Sequence, residues 1–444
     1  MDYDVVVVGA GAAGLVATER AASRGLNTLL LEKNRKPGVK ILMSGGTRCN
    51  LTHATDARGI VTAYGTQGKF LHSALAALGP DDVVALVENE GVETKVEETG
   101  KIFPASNHAT DVLAAFMARL RRTSCEISLD EPLEQLRRLE SGFELQTSKR
   151  TITSRNLIIT VGGKSYPGCG TRGDGYAWAR QLGHTVIHPT PALVPLTTGE
   201  SWIHDLKGLT LPDVRVRVVE RMELSLSDSA TGGADEPAQA AVAVSTKQKG
   251  KRTKQGHPPG VLDERRGSFL FTHFGFSGPV VLDVSRAVTV RNNLHNLMVE
   301  CDFVPAISAA ELEESFKTAA ANEGKKSLLA ILPDVLPRRL AEVLLSRVGL
   351  TSETRVAELS KAGRANLVAA LKGTQVSVSG TRGFEKAEVT AGGVSLDEVD
   401  SRSMQSKLVP DLYWAGEVLD LDGPIGGYNF QAAFSTGWLA GMSV

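Results

Sequence analysis

Residues 5–8, Val5-Val6-Val7-Val8, form an unbroken β-branched apolar run, the pattern of a strand buried on both faces. A glycine-rich turn and a helix of small residues follow, ending near Gly25, and a second apolar strand at residues 28–31 closes a compact βαβ unit. Residues 111–122 read as an amphipathic helix with Val112, Leu113, Phe116, Met117 and Leu120 on one side. A further short buried strand is expected at residues 157–161, running into Gly162-Gly163.

After about residue 190 the texture changes. Val214-Arg215-Val216-Arg217-Val218 alternates with the period of a half-buried antiparallel strand. Strands at residues 268–272 and 297–303 complete a set that predicts a small barrel or sandwich. Residues 228–262, rich in Ser, Ala, Gly, Lys and Pro, read as a mobile solvated loop. From about 308 to 371 apolar positions take helical spacings, with Leu328, Leu329, Ile331 and Leu332, then Leu340, Val343, Leu344 and Leu345. The last stretch returns to α/β texture, with a strand at residues 412–415 and a helix from about 429 toward 440.

A chain of 444 residues implies two or three domains. Lys+Arg 49 against Asp+Glu 50 leaves a net charge of -1, which argues against a whole-domain attraction to nucleic acid or anionic membrane. The run Lys247, Lys249, Lys251, Arg252, Lys254 has no interleaved aromatics and reads as part of the solvated loop. No apolar run approaches the roughly 20 residues that span a bilayer. The valine run has no basic residues before it and carries Asp2 and Asp4, so a strand explains it better than a signal core. Cys49, Cys125, Cys169 and Cys301 are far apart, which disfavours a redox dithiol, a zinc ribbon or a disulfide scaffold. The expectation is a cytoplasmic protein, monomer or homodimer, that binds no metal.

Gly9-Ala10-Gly11-Ala12-Ala13-Gly14 is a G-x-G-x-x-G run between a strand and a helix. Gly9 serves the tight turn, Gly11 lets backbone approach a pyrophosphate, and Gly14 lets helix and strand pack closely. The helix N-terminus, at Ala12 and Ala13, offers free N–H groups to phosphate. Glu32, eighteen residues past Gly14 and followed by Lys33, is placed to accept hydrogen bonds from a ribose diol and to repel a 2′-phosphate. The fingerprint alone does not separate FAD from NAD. FAD is favoured because the fingerprint is single and because Ala415-Gly416-Glu417, Asp420 and Gly426-Gly427-Tyr428-Asn429 prepare a second helix N-terminus. That terminus suits the charge that gathers on a reduced flavin, although Gly426-Gly427 also reads as a plain tight turn.

Taken together the motifs resemble the aminoacetone-oxidase-like (BaiN-type) family of NAD(P)/FAD-dependent oxidoreductases over nearly the whole chain. The resemblance rests on residues 38–52 (GVKILMSGGTRCNLT), 162–167 (GGKSYP) with 173–176 (GDGY), 271–279 (FTHFGFSGP), 390–394 (TAGGV), and 416–420 (GEVLD) with 426–429 (GGYN). Departures are Val39 where the family has Arg, Thr47 where it has a third Gly, and His53 where it has Asn. The resemblance implies an α/β fold: a Rossmann-like FAD/NAD(P)-binding domain at 1–190 and 381–444, a β-barrel at 191–306 and 372–380, and a helical insert at 307–371.

On that reading the loop 40–50 lies along the cofactor, Ser44-Gly45-Gly46 giving backbone N–H donors and Lys40 and Asn50 polar contacts. Cys49 reads as a small buried residue in preference to a redox thiol. Gly162-Gly163 lets the chain pass close to FAD, and Asp174 bonds a ribityl hydroxyl or its own turn. Tyr428 and Asn429 border the flavin, or Asn429 caps its helix. Thr272 and His273 are the nearest thing to an acid/base pair outside the FAD domain, although a lone His at a strand end is more often structural. Flavin chemistry needs no triad or metal, since the cofactor takes hydride at N5. The expected activity is ping-pong oxidoreduction, with FAD reduced by NADH or NADPH and a small organic acceptor. The alternatives are an amine-type oxidase using oxygen, a non-catalytic flavin-binding redox sensor or RNA-associated factor, and a NAD-binding protein without flavin.

Overall fold

A computed structural model describes residues 1–221, 260–291, 293–332 and 336–444. Most of the expected mobile loop, 228–259, lies outside the described residues, and Val261 and Leu262 at its end open a strand. The described chain divides into two units, Met1–Leu193 with Gly383–Val444, and Val194–Arg382.

In the first unit the valine run is the strand Tyr3–Val8, with Val5, Val6 and Val7 fully buried. It pairs in parallel with Thr28–Leu31 on one side and Thr151–Ile159 on the other. Glu126–Ser128 extends the sheet beyond Thr28–Leu31. The free edge of Thr151–Ile159 is shared: Leu412–Trp414 runs parallel to its end, while Phe143–Thr147 pairs antiparallel with its start and leads to Leu133–Arg138. This hairpin escapes the pattern reading because Leu133–Arg138, LEQLRR, buries only Leu136 fully. The helix Ala109–Arg121 and the final helix Tyr428–Ser443 lie where periodicity places them.

Residues 39–47, expected as loop, form a short helix instead, because Ile41 is fully buried in the core. The helical path breaks at Ser44, which is extended, and at Gly45 and Gly46, which are left-handed. Two small sheets escape sequence reading altogether. Thr52–His53, Lys101–Pro104 and Thr94–Val96 form one, and Val186–Ala192 with Val389–Val394 the other.

The second unit is an antiparallel sheet of seven strands, ordered Thr374–Ser377, Leu297–Asp302, Thr210–Glu220, Val261–Thr272, Gly275–Ser277, Leu196–Thr197, Gly380–Thr381. Its two edge strands are consecutive in sequence, so the sheet curls back on itself. The helices Ala309–Asn322, Leu328–Ile331, Arg338–Arg347 and Lys361–Gly373 share its core: Phe316, Leu344 and Leu367 cluster with Phe269, Phe271 and Phe276. Ser308 and Glu311 cap the first of these helices reciprocally. Among the described residues no single helix is long and apolar enough to cross a membrane.

A buried polar cluster of the first unit has no sequence signature. His184 Nε2 lies 2.9 Å from Ser406 Oγ and 3.3 Å from Trp414 Nε1, and Nδ1 lies 3.3 Å from Glu398. An indole N–H can only donate, so Nε2 is the bare nitrogen and Nδ1 carries the proton facing Glu398. Burial holds the imidazole below its ordinary value, against the pull of Glu398. The unfolded chain therefore takes up a proton that the folded chain resists. Stability from the neutral ring is present above about pH 6.5 and declines as pH falls toward the folded value. We expect unfolding free energy to fall between pH 7.5 and 5.5 by at most about 1.4 kcal/mol per pH unit from this site. In chemical denaturation at a series of pH values, His184→Asn should flatten that dependence; an unchanged slope would refute the assignment.

Candidate functional site

Tyr3–Val8, Thr28–Leu31 and Thr151–Ile159 end on one side of the parallel sheet, where open α/β sheets place their ligands. A cavity of about 990 Å³ opens there, lined by Val8, Leu31 and Thr160 at the strand ends. It is at the upper end of the size range of small-molecule clefts.

The fingerprint builds its floor. Gly9 has φ +104° and sits so close to the next strand that a β-carbon would lie 2.8 Å from the Thr160 carbonyl oxygen. A β-carbon on Gly14 would lie 1.8 Å from the Gly9 carbonyl oxygen, so Gly14 sets the packing of helix on strand and does not line the cavity. Gly11 is different. It is the N-cap of the helix Ala12–Ala22, lines the cavity, and a β-carbon there meets no protein atom within 4 Å. The space is on the ligand's side, as a diphosphate cradle requires, and Ala12 and Ala13 present the first N–H groups of the helix beside it.

Glu32 directly follows the strand Thr28–Leu31 and is 8% exposed. Its carboxylate accepts the Ala10 N–H at 2.7 Å and the Asn34 N–H at 2.8 Å, which ties the strand end to the fingerprint turn. Lys33 pairs with Asp174, so Asp174 neutralises a lysine across the cavity and does more than stabilise its own turn. Lys40 pairs with Glu417 and donates to Ser165 Oγ at 2.7 Å, while Ser165 in turn donates to Glu417. The Thr390 N–H reaches the same carboxylate at 3.1 Å. Four segments distant in sequence thereby meet in one wall.

Ser44, Gly45, Gly46 and Asn50 line the cavity. Asn50 bridges the Gly427 N–H at 2.9 Å and the Thr52 carbonyl at 3.0 Å, in the amide orientation that satisfies both. Gly162, Gly416, Gly426, Gly427 and Asn429 line it too. Gly416 donates to Thr436 Oγ1 at 3.0 Å, fixing the turn after Leu412–Trp414. Gly163 does not reach the cavity, because it packs on Thr390, whose hydroxyl would lie 2.4 Å from its β-carbon. Asp420 and Tyr428 also stand outside the lining. Tyr428 stacks on His53, ring centroids 4.7 Å apart, and its carbonyl accepts from Tyr64 at 3.1 Å. Asn429 does not cap its helix, whose N-cap is Gly427. It fastens the preceding loop through Gly423 N–H (2.9 Å), Gly423 carbonyl (3.0 Å) and Pro424 carbonyl (3.2 Å).

Cys49 is fully buried, and burial pushes its thiol up to about 12, so it is no thiolate at neutral pH. Thr272 and His273 belong to the second unit. Thr272 ends the strand Val261–Thr272 and pairs with Gly275, and His273 is exposed at the turn, edge-on to Phe274.

Other cavity residues were not singled out from the sequence, although Arg48 and Tyr166 lie within the motifs that carry the family resemblance. Arg48 lies over the Phe103 ring at 4.0 Å and pairs with Glu97 at 2.6 Å. Tyr166 holds a left-handed backbone, φ 54°, next to Pro167. Lys101, Glu131, Arg172 and Glu388 complete the charged lining. None lies in the G-x-G-x-x-G fingerprint, and Lys101, Arg172 and Glu388 lie outside every motif quoted above.

The HI0933-like protein Rossmann domain matches residues 3–443, and the chain belongs to this family. Three relatives match over almost their whole length. A ribosomal RNA dihydrouridine synthase of Escherichia coli is 30% identical over 98% of this chain and 96% of its own. Its namesake from Haemophilus influenzae is 31% identical over 99% and 98%. A 3-dehydro-bile acid delta(4,6)-reductase of Clostridium scindens is 29% identical over 98% of both. The resemblance read from the motifs is borne out, and with it a Rossmann-like FAD-dependent oxidoreductase.

The two fingerprint glycines predict opposite outcomes. Gly14→Ala should cost about 3 kcal/mol of stability through overpacking. Gly11→Val should leave the stability of the cofactor-free protein within about 0.5 kcal/mol yet weaken FAD binding by about tenfold or more. Urea unfolding and flavin titration of the two variants check this; equal stability losses would refute the division of roles.

Proposed function

We propose that this FAD-dependent oxidoreductase saturates an electron-poor carbon–carbon double bond conjugated to a carbonyl, with NADH or NADPH as electron donor. One observation carries the reading: a single cavity joins a diphosphate cradle to a pre-paired polar wall, in a chain whose full-length relatives are named for saturating such bonds. Making dihydrouridine removes the 5,6 double bond of a uracil ring, and a delta(4,6)-reductase removes ring double bonds of a 3-oxo steroid skeleton. Both bonds are conjugated to a carbonyl. Two relatives act on ribosomal RNA by name, so a uracil ring is the first substrate class to test and a steroidal enone the second.

The chain's own residues divide the work. Backbone N–H groups at Gly11 to Ala13 hold the diphosphate, and Glu32, already oriented by Ala10 and Asn34, takes ribose hydroxyls on its remaining lone pairs. When bound, the flavin supplies two-electron transfer between nicotinamide and substrate. The N-terminus of the helix Tyr428–Ser443, behind Gly426-Gly427, turns its partial positive charge toward the same cavity. Lys40 is held in place by Glu417 and Ser165, so no reorganisation is needed when negative charge gathers nearby. Phe103, Leu193, Ile425 and Phe430 supply apolar lining that limits water.

The test is anaerobic absorption spectroscopy of the FAD-loaded protein. We expect the flavin bands to bleach on addition of NADH or NADPH and to return on addition of a uridine-containing ribosomal RNA fragment or a 4-en-3-one steroid. Bleaching reversed only by oxygen would replace this reading with an oxidase. Bands that never bleach with either nucleotide would remove the nicotinamide donor.

A further inference from the structure

Among the described residues, the charged groups of the cavity are mostly matched: Lys33 with Asp174, Lys40 with Glu417, Arg48 with Glu97. Glu32 is held by two backbone N–H groups. Lys101, Arg172 and Glu388 break this pattern, and Glu388 is the one acid among the three. It lines the cavity, and among the described residues no hydrogen bond or ion pair holds its carboxyl. Its backbone, by contrast, is fixed. The Glu388 N–H donates to the Leu193 carbonyl at 3.1 Å, and its neighbour Val389 is registered against Ala192 in the sheet formed with Val186–Ala192. An acid with a rigid base and no partner, at the lining of a ligand cavity, adds no contact that holds the fold together.

We propose that Glu388 is the catalytic acid of this cavity, delivering the proton that completes saturation of the double bond. The role rests on the functional reading above. In the step, the substrate's π bond breaks. The electron pair that originates from the nicotinamide donor forms one new C–H bond as hydride, at the carbon remote from the carbonyl. The Glu388 O–H bond breaks, and its proton forms the second C–H bond at the carbon next to the carbonyl. The donor is oxidised, the substrate reduced, and Glu388 is left as carboxylate.

The surroundings fit both halves of that cycle. Desolvation beside the cavity walls raises the Glu388 carboxyl above the ordinary carboxylate range, which favours its protonated form. Lys40 and Lys101 are the charged groups acting on it. Both oppose the rise, and both stabilise the carboxylate that remains after transfer. The side chain is also accessible to solvent within the cavity, which allows reprotonation from bulk water after product leaves. A lysine is a poorer donor here: Lys40 spends its protons on Glu417 and Ser165.

The test compares FAD-loaded wild type, Glu388→Gln and Glu388→Asp, with flavin-to-protein ratio and Tm as checks on folding. On a uridine-containing RNA fragment or a 4-en-3-one steroid, Glu388→Gln should lose about 100-fold or more in kcat, with KM changed by less than about threefold. Wild-type kcat should fall as pH rises through the Glu388 value, because the protonated form is the active one. Glu388→Gln should lack that alkaline limb, and Glu388→Asp should recover part of the rate with the limb restored. Independently of turnover, infrared titration of wild type should show a protonated carboxyl persisting above the usual carboxylate range and missing from Glu388→Gln. Unchanged kcat and pH profile in Glu388→Gln, or no such infrared band, overturns the role of Glu388 and leaves the functional reading standing. A wild type bleached by NADPH but inert to every unsaturated probe overturns both together.

Discussion

The close approach of the first and last helices is the constraint on which the site depends. A β-carbon on Gly437 would lie 2.2 Å from the Ala13 carbonyl oxygen, and one on Gly441 would lie 2.4 Å from that of Ala17. Backbone therefore rests on backbone, and the helix Ala12–Ala22 is clamped along the length that carries the diphosphate cradle. The clamp also fixes the C-terminal segment, because Leu412–Trp414 pairs with Thr151–Ile159 just before the chain turns through Gly416 and Glu417 into the cavity. The two chain ends thus complete one sheet and one ligand site.

This explains what the sequence made legible. Strand burial on both faces forces residues such as Val5 to Val8 to be apolar, and the close approaches at Gly9 and Gly14 admit no side chain, so both constraints leave a local mark. The pairing of Lys40, Ser165, Glu417 and Thr390 leaves none, although each residue lies in a recognisable motif, since each partner is in another segment of the chain. The same holds for the strands Thr94–Val96 and Lys101–Pro104, too short to show a period, which carry Lys101 and Phe103 to the cavity. Reading residues 40–50 as loop failed over 40–47 because two glycines and a serine outweighed one core position, Ile41. Gly163, Asp420, Tyr428 and Asn429 show the complementary limit. Their motif was recognisable, but they secure turns and loops around the cavity more than they line it.

Charge pairing in the cavity has a mechanistic consequence. An ion pair such as Lys40 with Glu417, about a fifth exposed on average, is too wet to contribute much stability. Its value is orientation: two flexible side chains are held in one geometry before any ligand arrives. Losing either partner would leave a charge facing the ligand with nothing to balance it, so the pair behaves as a single polar unit. An unpaired acid beside such units stands out as a group with something to exchange.

The comparison of two acids in the first unit makes the point sharper. Ser406, His184 and Glu398 reproduce the order of a hydrolytic relay, with 2.9 and 3.3 Å between successive members. Yet Ser406 Oγ also accepts the Leu408 and Val409 N–H groups at 3.1 and 2.8 Å, and both Ser406 and His184 are buried away from the cavity. Its lone pairs are occupied and no substrate reaches it, so the cluster is a strut that staples the loop before Leu412–Trp414 to the segment at His184. Glu388 has none of that order, only a rigid base, an unoccupied carboxyl and an open cavity. Chemical identity and mutual distance select candidates for catalysis; whether the reactive atom is free and reachable decides between them, and in this chain that criterion favours the residue no motif points to.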